Sequence, residues 1–180
     1  MEIIETKIKD LLIIKPKVFA DARGYFFESY NETVFKQHGI VANFVQDNQS
    51  LSSTGVLRGL HFQAPPHDQG KLVRVITGAV LDVAVDIRKN SATYGQHVTI
   101  ELTEENKTMF YIPPGFAHGF LTLRDNTIFS YKCTNVYNKP SEGCVLWNDS
   151  DLGIDWNVSN PILSEKDLVG TPFKDFNSPF

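Results

Sequence analysis

A chain of 180 residues is the size of one domain, taken as 1–180, and is long enough to bury a core without disulfides or metal. Its 42% hydrophobic and 21% charged residues suit a soluble globule, and 17 basic against 21 acidic side chains leave a net charge of −4. That balance excludes the broad positive field wanted by nucleic acid or an anionic membrane, so any anionic ligand must be caught by a local cluster.

The opening MEIIETKIKD alternates charged and apolar residues without the apolar centre of a signal peptide, and no run approaches the length of a membrane span. Two cysteines, Cys133 and Cys144, have no metal-type spacing and make no disulfide framework. A cytoplasmic protein is expected.

In chain order, strands are expected over 11–19, 24–30, 55–63, 71–76, 79–88, 97–102, 108–112, 118–123, 127–137 and 143–147. The clearest is 81–87, where Leu81, Val83, Val85 and Ile87 alternate with Asp82, Ala84 and Asp86. Thr77-Gly78 ahead of it reads as a hairpin turn. Helix is expected twice. NETVFKQHG runs from a capping Asn31 to a terminating Gly39, and SEKDL starts at Ser164. Many short strands with little helix predict an all-β antiparallel sandwich or barrel.

The stretch RGLHFQAPPHDQGKLVRV crowds Arg58, His61 and Lys71 together. His61 is either an inert barrel histidine or a general base, and neighbouring cations favour the neutral imidazole that a base requires. Arg58 and His61 fall on opposite faces of a regular strand, so sharing a site requires a bulge, for which Gly59 is suited. Metal chemistry is disfavoured. Gln63 stands two positions after His61, no H-x-H occurs, and a scattered His118 does not complete a first shell.

His118 follows the rigid Pro113-Pro114-Gly115 corner and is either structural or part of a site. Tyr131 is either core or a proton donor, with Tyr137 six residues on and of the same strand parity. Arg23 and Glu28 flank an aromatic run, and Gln46 and Asn48 share one strand face. Guanidinium forks suit phosphate, whereas amides suit hydroxyls and carbonyls. Asp167 completes an S-x-x-D capping box, or else orients His61 through its second ring nitrogen.

Together DARGYFFESYN, FVQDNQS, GVLRGLHFQAPPHDQGKLVRVITGAVLDVAVDIRKNSATYG, IPPGFAHGF, YKCTNVYN and WNDSDLGIDW resemble the dTDP-4-dehydrorhamnose 3,5-epimerase family over about residues 3–170. P-x-G-x-x-H at 113–118 also resembles the second signature of the wider cupin superfamily, and the missing H-x-H resembles its metal-free branch. The resemblance implies a cupin jelly roll, a homodimer with strand exchange, no cofactor and a dTDP-sugar substrate. It implies that His61 is the base held by Asp167, that Tyr131 is the acid, and that Lys71 faces the enolate oxygen. It further implies that Arg23, Glu28, Gln46, Asn48, Arg58, Lys71, His118, Glu142 and Lys166 contact the nucleotide sugar, with Tyr137 stacked on thymine. Ala92, in SATYG, departs from the family's more usual proline, and His67 is a histidine not expected to take part. Rival readings are an epimerase of one carbon only, a non-catalytic sugar-binding cupin, and a metal-dependent oxygenase disfavoured by Gln63.

Overall fold

The computed structural model describes residues 1–180. Thirteen strands run as β1 (Glu2–Glu5), β2 (Leu12–Lys15), β3 (Phe19–Asp21), β4 (Gly24–Phe26), β5 (Gln46–Ser52), β6 (Leu57–Gln63), β7 (Lys71–Thr77), β8 (Ala79–Asp86), β9 (His97–Thr103), β10 (Met109–Ile112), β11 (Phe116–Thr122), β12 (Thr127–Cys133) and β13 (Glu142–Cys144). Helix is confined to α1 (Glu32–Gln37), α2 (Glu165–Leu168) and two single 3-10 turns. One sheet has the order β1-β2-β10-β7-β12-β5 and faces another of order β13-β6-β11-β8-β9; β3 and β4 form a separate hairpin. The result is an all-β jelly roll of the cupin type.

Strand parity explains the layering. Val73, Val75, Phe110, Ile112 and Phe129 of the first sheet meet Val80, Ala84, Val98, Leu102, Phe116 and Phe120 of the second in one buried cluster between the sheets. Each fully buried aromatic or branched side chain there contributes roughly 1.5–3 kcal/mol. Outside the first sheet, Phe35 and Ile40 at α1 cover Ile14, Leu72 and Met109. Outside the second sheet, Leu152 and Trp156, with Phe173, Phe176 and Phe180 partly buried beside them, cover Leu57, Leu60, Val83, Val85 and Ile87. Strand β8 is therefore covered on both faces, and Asp82 and Asp86, expected to alternate with a core face, are both fully buried.

The turn at Thr77-Gly78 is not a hairpin. Thr77 ends a strand of the first sheet and Ala79 begins one of the second, so this tight corner carries the chain across the sandwich. Gly78 (φ 85°) suits it because an added Cβ would collide with Thr127. The run 11–19 divides around Pro16 into β2 and β3, and 24–30 is a strand only to Phe26. The run 127–137 ends as a strand at Cys133, so Tyr137 lies in the following loop and strand parity does not place it. Strand β1 and the polar β5 escape a search for apolar alternation, although Gln46 and Asn48 do share a strand face. Both helices lie where their caps put them, with Asn31 Oδ1 accepting from Val34 N at 3.3 Å and Gly39 at φ 81°.

The expected bulge is present in β6. Opposite β11, His61 pairs with His118 and Arg58 with Phe120, so three steps on β6 match two on β11. The extra residue restores Arg58 and His61 to the same face, while Leu57 and Leu60 point to the outer core. Gly59, at φ 141°, presses against Gly119; a Cβ on Gly59 would lie 2.5 Å from Gly119 Cα. Gly59→Ala combines positive φ with overlap against backbone, and these terms cost about 1–3 kcal/mol each. We expect a lowered midpoint in chemical denaturation together with loss of turnover; unchanged values for both would contradict this account of the bulge.

Candidate active site

Inward-facing side chains at one end of the sandwich are polar rather than apolar, and a cavity of about 480 Å³ opens there. Strand β6 supplies Arg58, His61 and Gln63; β7 supplies Lys71; β11 supplies His118; and β12 supplies Tyr131. Gln46 and Asn48 come from β5, Glu142 from β13, and Lys166 and Asp167 from α2, with Tyr137 on the rim. His61 belongs to one sheet and Lys71 and Tyr131 to the other, so they reach the cavity from opposite walls.

Asp167 touches both of the groups that its two readings named. Its Oδ2 accepts from Ser164 N at 3.2 Å and Ser164 Oγ at 2.5 Å, closing the start of α2. Its Oδ1 accepts from Gly59 N at 3.2 Å and lies 2.7 Å from His61 Nε2. That last contact has ion-pair distance but lies off the ring's N–H direction, leaving Nε2 without an aligned hydrogen bond. With Nε2 turned to the carboxylate, Nδ1 is the nitrogen left for a substrate proton.

Burial pushes the Asp167 pKa up, but the His61 ring, the Ser164 hydroxyl and the Gly59 amide outweigh it and bring the carboxyl to about 2. The folded value is depressed, so the stabilising contribution is complete above the free value of 3.8 and is lost as pH falls through about 2. The shift is worth about 2 kcal/mol. Urea titrations between pH 5 and pH 2 should show wild type losing about that much more stability than Asp167→Asn. Parallel curves would contradict the depressed pKa of the Asp167 carboxyl.

A second buried pair, absent from the reading of the sequence, lies beside the first. His118 Nε2 sits 3.0 Å from both Asp82 carboxylate oxygens, and the ring stacks at 6.3 Å on Phe129. Burial lowers the His118 pKa, although Asp82 opposes this, and a neutral ring that donates from Nε2 to Asp82 fits the geometry. Asp82 looked like one polar member of an alternating strand; its use depends on which face closes over the site. Lys71 has no carboxylate within ion-pair distance. Burial lowers its pKa, while Cys133, Asp82 and Glu142 act in the opposite sense. Burial also raises the Tyr131 pKa, keeping the phenol protonated and able to donate.

At the rim, Tyr137 Oη donates to Glu142 Oε2 at 3.0 Å and Lys166 Nζ to Glu142 Oε1 at 2.7 Å. Gln46 Oε1 receives Tyr137 N at 2.9 Å, and its Nε2 donates to Asn48 Oδ1 at 3.0 Å. Arg58 is exposed at the mouth and reaches Ser52 Oγ at 3.3 Å. Gln63 is occupied structurally: Nε2 donates to the His67 and Val136 carbonyls, and Oε1 accepts from Asn138 N. His67 does not line the cavity. Nor do Arg23 and Glu28. Arg23, 90% exposed, pairs with Asp21 on the β3–β4 hairpin, and Glu28 accepts from Asn31 Nδ2.

An open-ended jelly roll with an imidazole–carboxylate pair on one wall, and an amine and a phenol on the other, defines a sugar-sized proton-transfer site of the cupin class. A family model for dTDP-4-dehydrorhamnose 3,5-epimerase matches residues 5–175. The chain is 53% identical to the Shigella flexneri dTDP-4-dehydrorhamnose 3,5-epimerase, with 97% of each chain covered. It is 47% identical to a Legionella pneumophila dTDP-6-deoxy-D-glucose-3,5-epimerase solved with dTDP-4-keto-L-rhamnose, at a TM-score of 0.94, covering 98% of this chain and 94% of that one. A 3′-monoepimerase from Streptomyces bikiniensis solved with dTDP-quinovose is 31% identical at a TM-score of 0.89, covering 94% and 87%. The chain belongs to the dTDP-4-dehydrorhamnose 3,5-epimerase family.

Proposed function

We propose that the protein inverts C3 and C5 of dTDP-4-dehydro-6-deoxy-D-glucose, giving dTDP-4-dehydro-L-rhamnose for dTDP-L-rhamnose synthesis. The observation that carries this reading is the placement of His61 and Tyr131 on opposite walls of one cavity. The C4 ketone acidifies the hydrogens on C3 and C5. His61 Nδ1 removes one, the electron pair moves to O4, and the resulting imidazolium is stabilised by Asp167. Lys71 meets the negative charge on O4 with a cation in a low-dielectric wall, where such a charge acts strongly. Tyr131 then delivers a proton to the carbon from the other face and inverts it; His61 gives its proton to solvent and the phenolate takes one back before the second carbon reacts, so no redox step is involved.

Double rather than single inversion is supported by relatives named as 3,5-epimerases at about half identity, against 31% for the monoepimerase. Incubation of substrate in D₂O tests it: deuterium should enter both C3 and C5, and incorporation at one carbon alone would make the protein a mono-epimerase. No metal is needed for this chemistry. Turnover should therefore persist after dialysis against EDTA, and loss reversed by a divalent ion would count against Lys71 as the group that holds the enolate.

The nucleotide end is assigned to the rim. Tyr137 presents an exposed ring for the thymine, and Lys166 and Arg58 offer cations to diphosphate and hydroxyl oxygens. Glu142, Gln46, Asn48 and His118 orient the sugar and base. Arg23 and Glu28 complete the set from a second copy of the chain. The β3–β4 hairpin that carries Arg23 is exposed at every residue, including Phe19, Tyr25 and Phe26, and a strand-exchanged homodimer would cover it. No helix is long and apolar enough to cross a membrane, and the nucleotide-sugar substrate puts the reaction in the cytoplasm, within a single catalytic domain of residues 1–180.

A further inference from the structure

Cys144 is the one reactive group near His61 that the reaction does not use. It faces His61 across the β13–β6 ladder, and its side chain is half-buried. Donor atoms of His61, Cys144 and Asp167 all lie within 4.8 Å of one another. Bonds of about 2.0–2.3 Å to a tetrahedral ion place neighbouring donors about 3.5 Å apart, so His61 Nε2 and Asp167 Oδ1, now 2.7 Å apart, would open slightly to admit an ion and the wider separations would close by about an ångström. The present partners are ones an ion could replace: Cys144 Sγ makes only long contacts with the Gly59 and Val145 carbonyls, at 3.9 and 3.5 Å, and Asp167 Oδ1 accepts from Gly59 N at 3.2 Å. His61 Nε2 is buried without an aligned hydrogen bond. Asp167 Oδ1 faces the ring, while Oδ2 remains anchored by Ser164. One imidazole, one thiolate and one carboxylate form a donor set for a thiophilic divalent ion, with a fourth position open to water.

The geometry points to an inhibitory site for zinc-like ions at His61, Cys144 and Asp167, in which the metal takes the catalytic base out of action. Binding replaces two protons at the ligand atoms: Cys144 S–H gives a sulfur–zinc bond and a proton released to water, and the imidazole proton moves from Nε2 to Nδ1 as Nε2 binds the ion, with no change of oxidation state. The ion takes up the Asp167 oxygen that otherwise steadies the imidazolium, and engages the ring that must accept the substrate's proton. Hard ions such as Mg²⁺ prefer oxygen ligands and are poorly served by sulfur and imidazole. The same enzyme would thus need no metal and be switched off by one.

The inhibition arm rests on His61 being the base; the binding arm does not. Metal-free enzyme is titrated with ZnCl₂ or MgCl₂ while epimerisation is followed, and separately with CoCl₂ while the thiolate-to-cobalt charge-transfer band is followed. Zinc should abolish turnover, EDTA should restore it, and magnesium should have no effect. Cys144→Ser, which touches no substrate, should turn over as wild type, resist zinc by about 100-fold and lose the cobalt band. Cys144→Ala serves equally if the serine variant folds poorly. Equal zinc sensitivity of wild type and both variants, or a cobalt spectrum without a sulfur band, would overturn the site. A Cys144-dependent band without inhibition would support the site and count against His61 as base.

Discussion

His61→Ala is expected to abolish both product formation and solvent deuterium exchange at C3 and C5, whereas Tyr131→Phe loses product while retaining part of the exchange. The asymmetry follows from where the two groups act. Without the imidazole no enolate forms, so no carbon-bound hydrogen leaves. Without the phenol the enolate still forms on the His61 wall, and it is quenched from that same wall by the proton just removed or by one exchanged with solvent. Each loss should be about 10²–10⁴-fold in turnover. Phe preserves the ring that packs at 5.9 Å against Phe129, so the Tyr131 variant tests the hydroxyl alone. Measuring both exchange and product by NMR for the two variants separates the roles. Normal exchange in His61→Ala would remove His61 from the reaction, and complete loss of exchange in Tyr131→Phe would remove the division of labour between the walls.

Lys71→Met should lower turnover by about 10²–10³-fold, the scale found when one group that stabilises a developing oxyanion is removed. Stability should move little or improve. Burial disfavours the Lys71 ammonium, no carboxylate stands within ion-pair distance of it, and methionine keeps much of the stem's packing. A residue kept for the fold would show the opposite: a fall in unfolding midpoint with turnover per folded molecule unchanged. Steady-state kinetics beside a thermal unfolding curve decides between the two, and an unaffected turnover would leave the O4 charge without its partner.

Gly59 is what makes the bulge legible in the sequence. Arg58 and His61 had the wrong parity for one site, and Gly59 between them was the residue able to repair it; β6 takes that irregularity opposite Gly119. Caps were legible for a similar reason. Asn31, Gly39 and Ser164 act on backbone groups within a few residues, so local sequence carries their whole effect. Thr77-Gly78 reads as a hairpin but forms a corner between sheets, because the same local chemistry serves both. Which of them forms depends on whether β7 finds β8 or finds β10 and β12.

Sequence by itself determined the period-two strands, the helix ends, the bulge position and an ordered set of motifs specific enough to mark the family. These are properties of neighbours along the chain. Tertiary structure alone decided that Asp82 belongs with His118, that one carboxylate of Asp167 both closes α2 and meets His61, and that Cys144 comes to lie beside them. It also separated Arg23 and Glu28 from the cavity of their own chain. The physical reason is distance along the backbone. Asp167 meets Gly59 from 108 positions away and His118 meets Asp82 from 36, and only the pairing of strands and the packing of α2 on β6 bring such charges within reach.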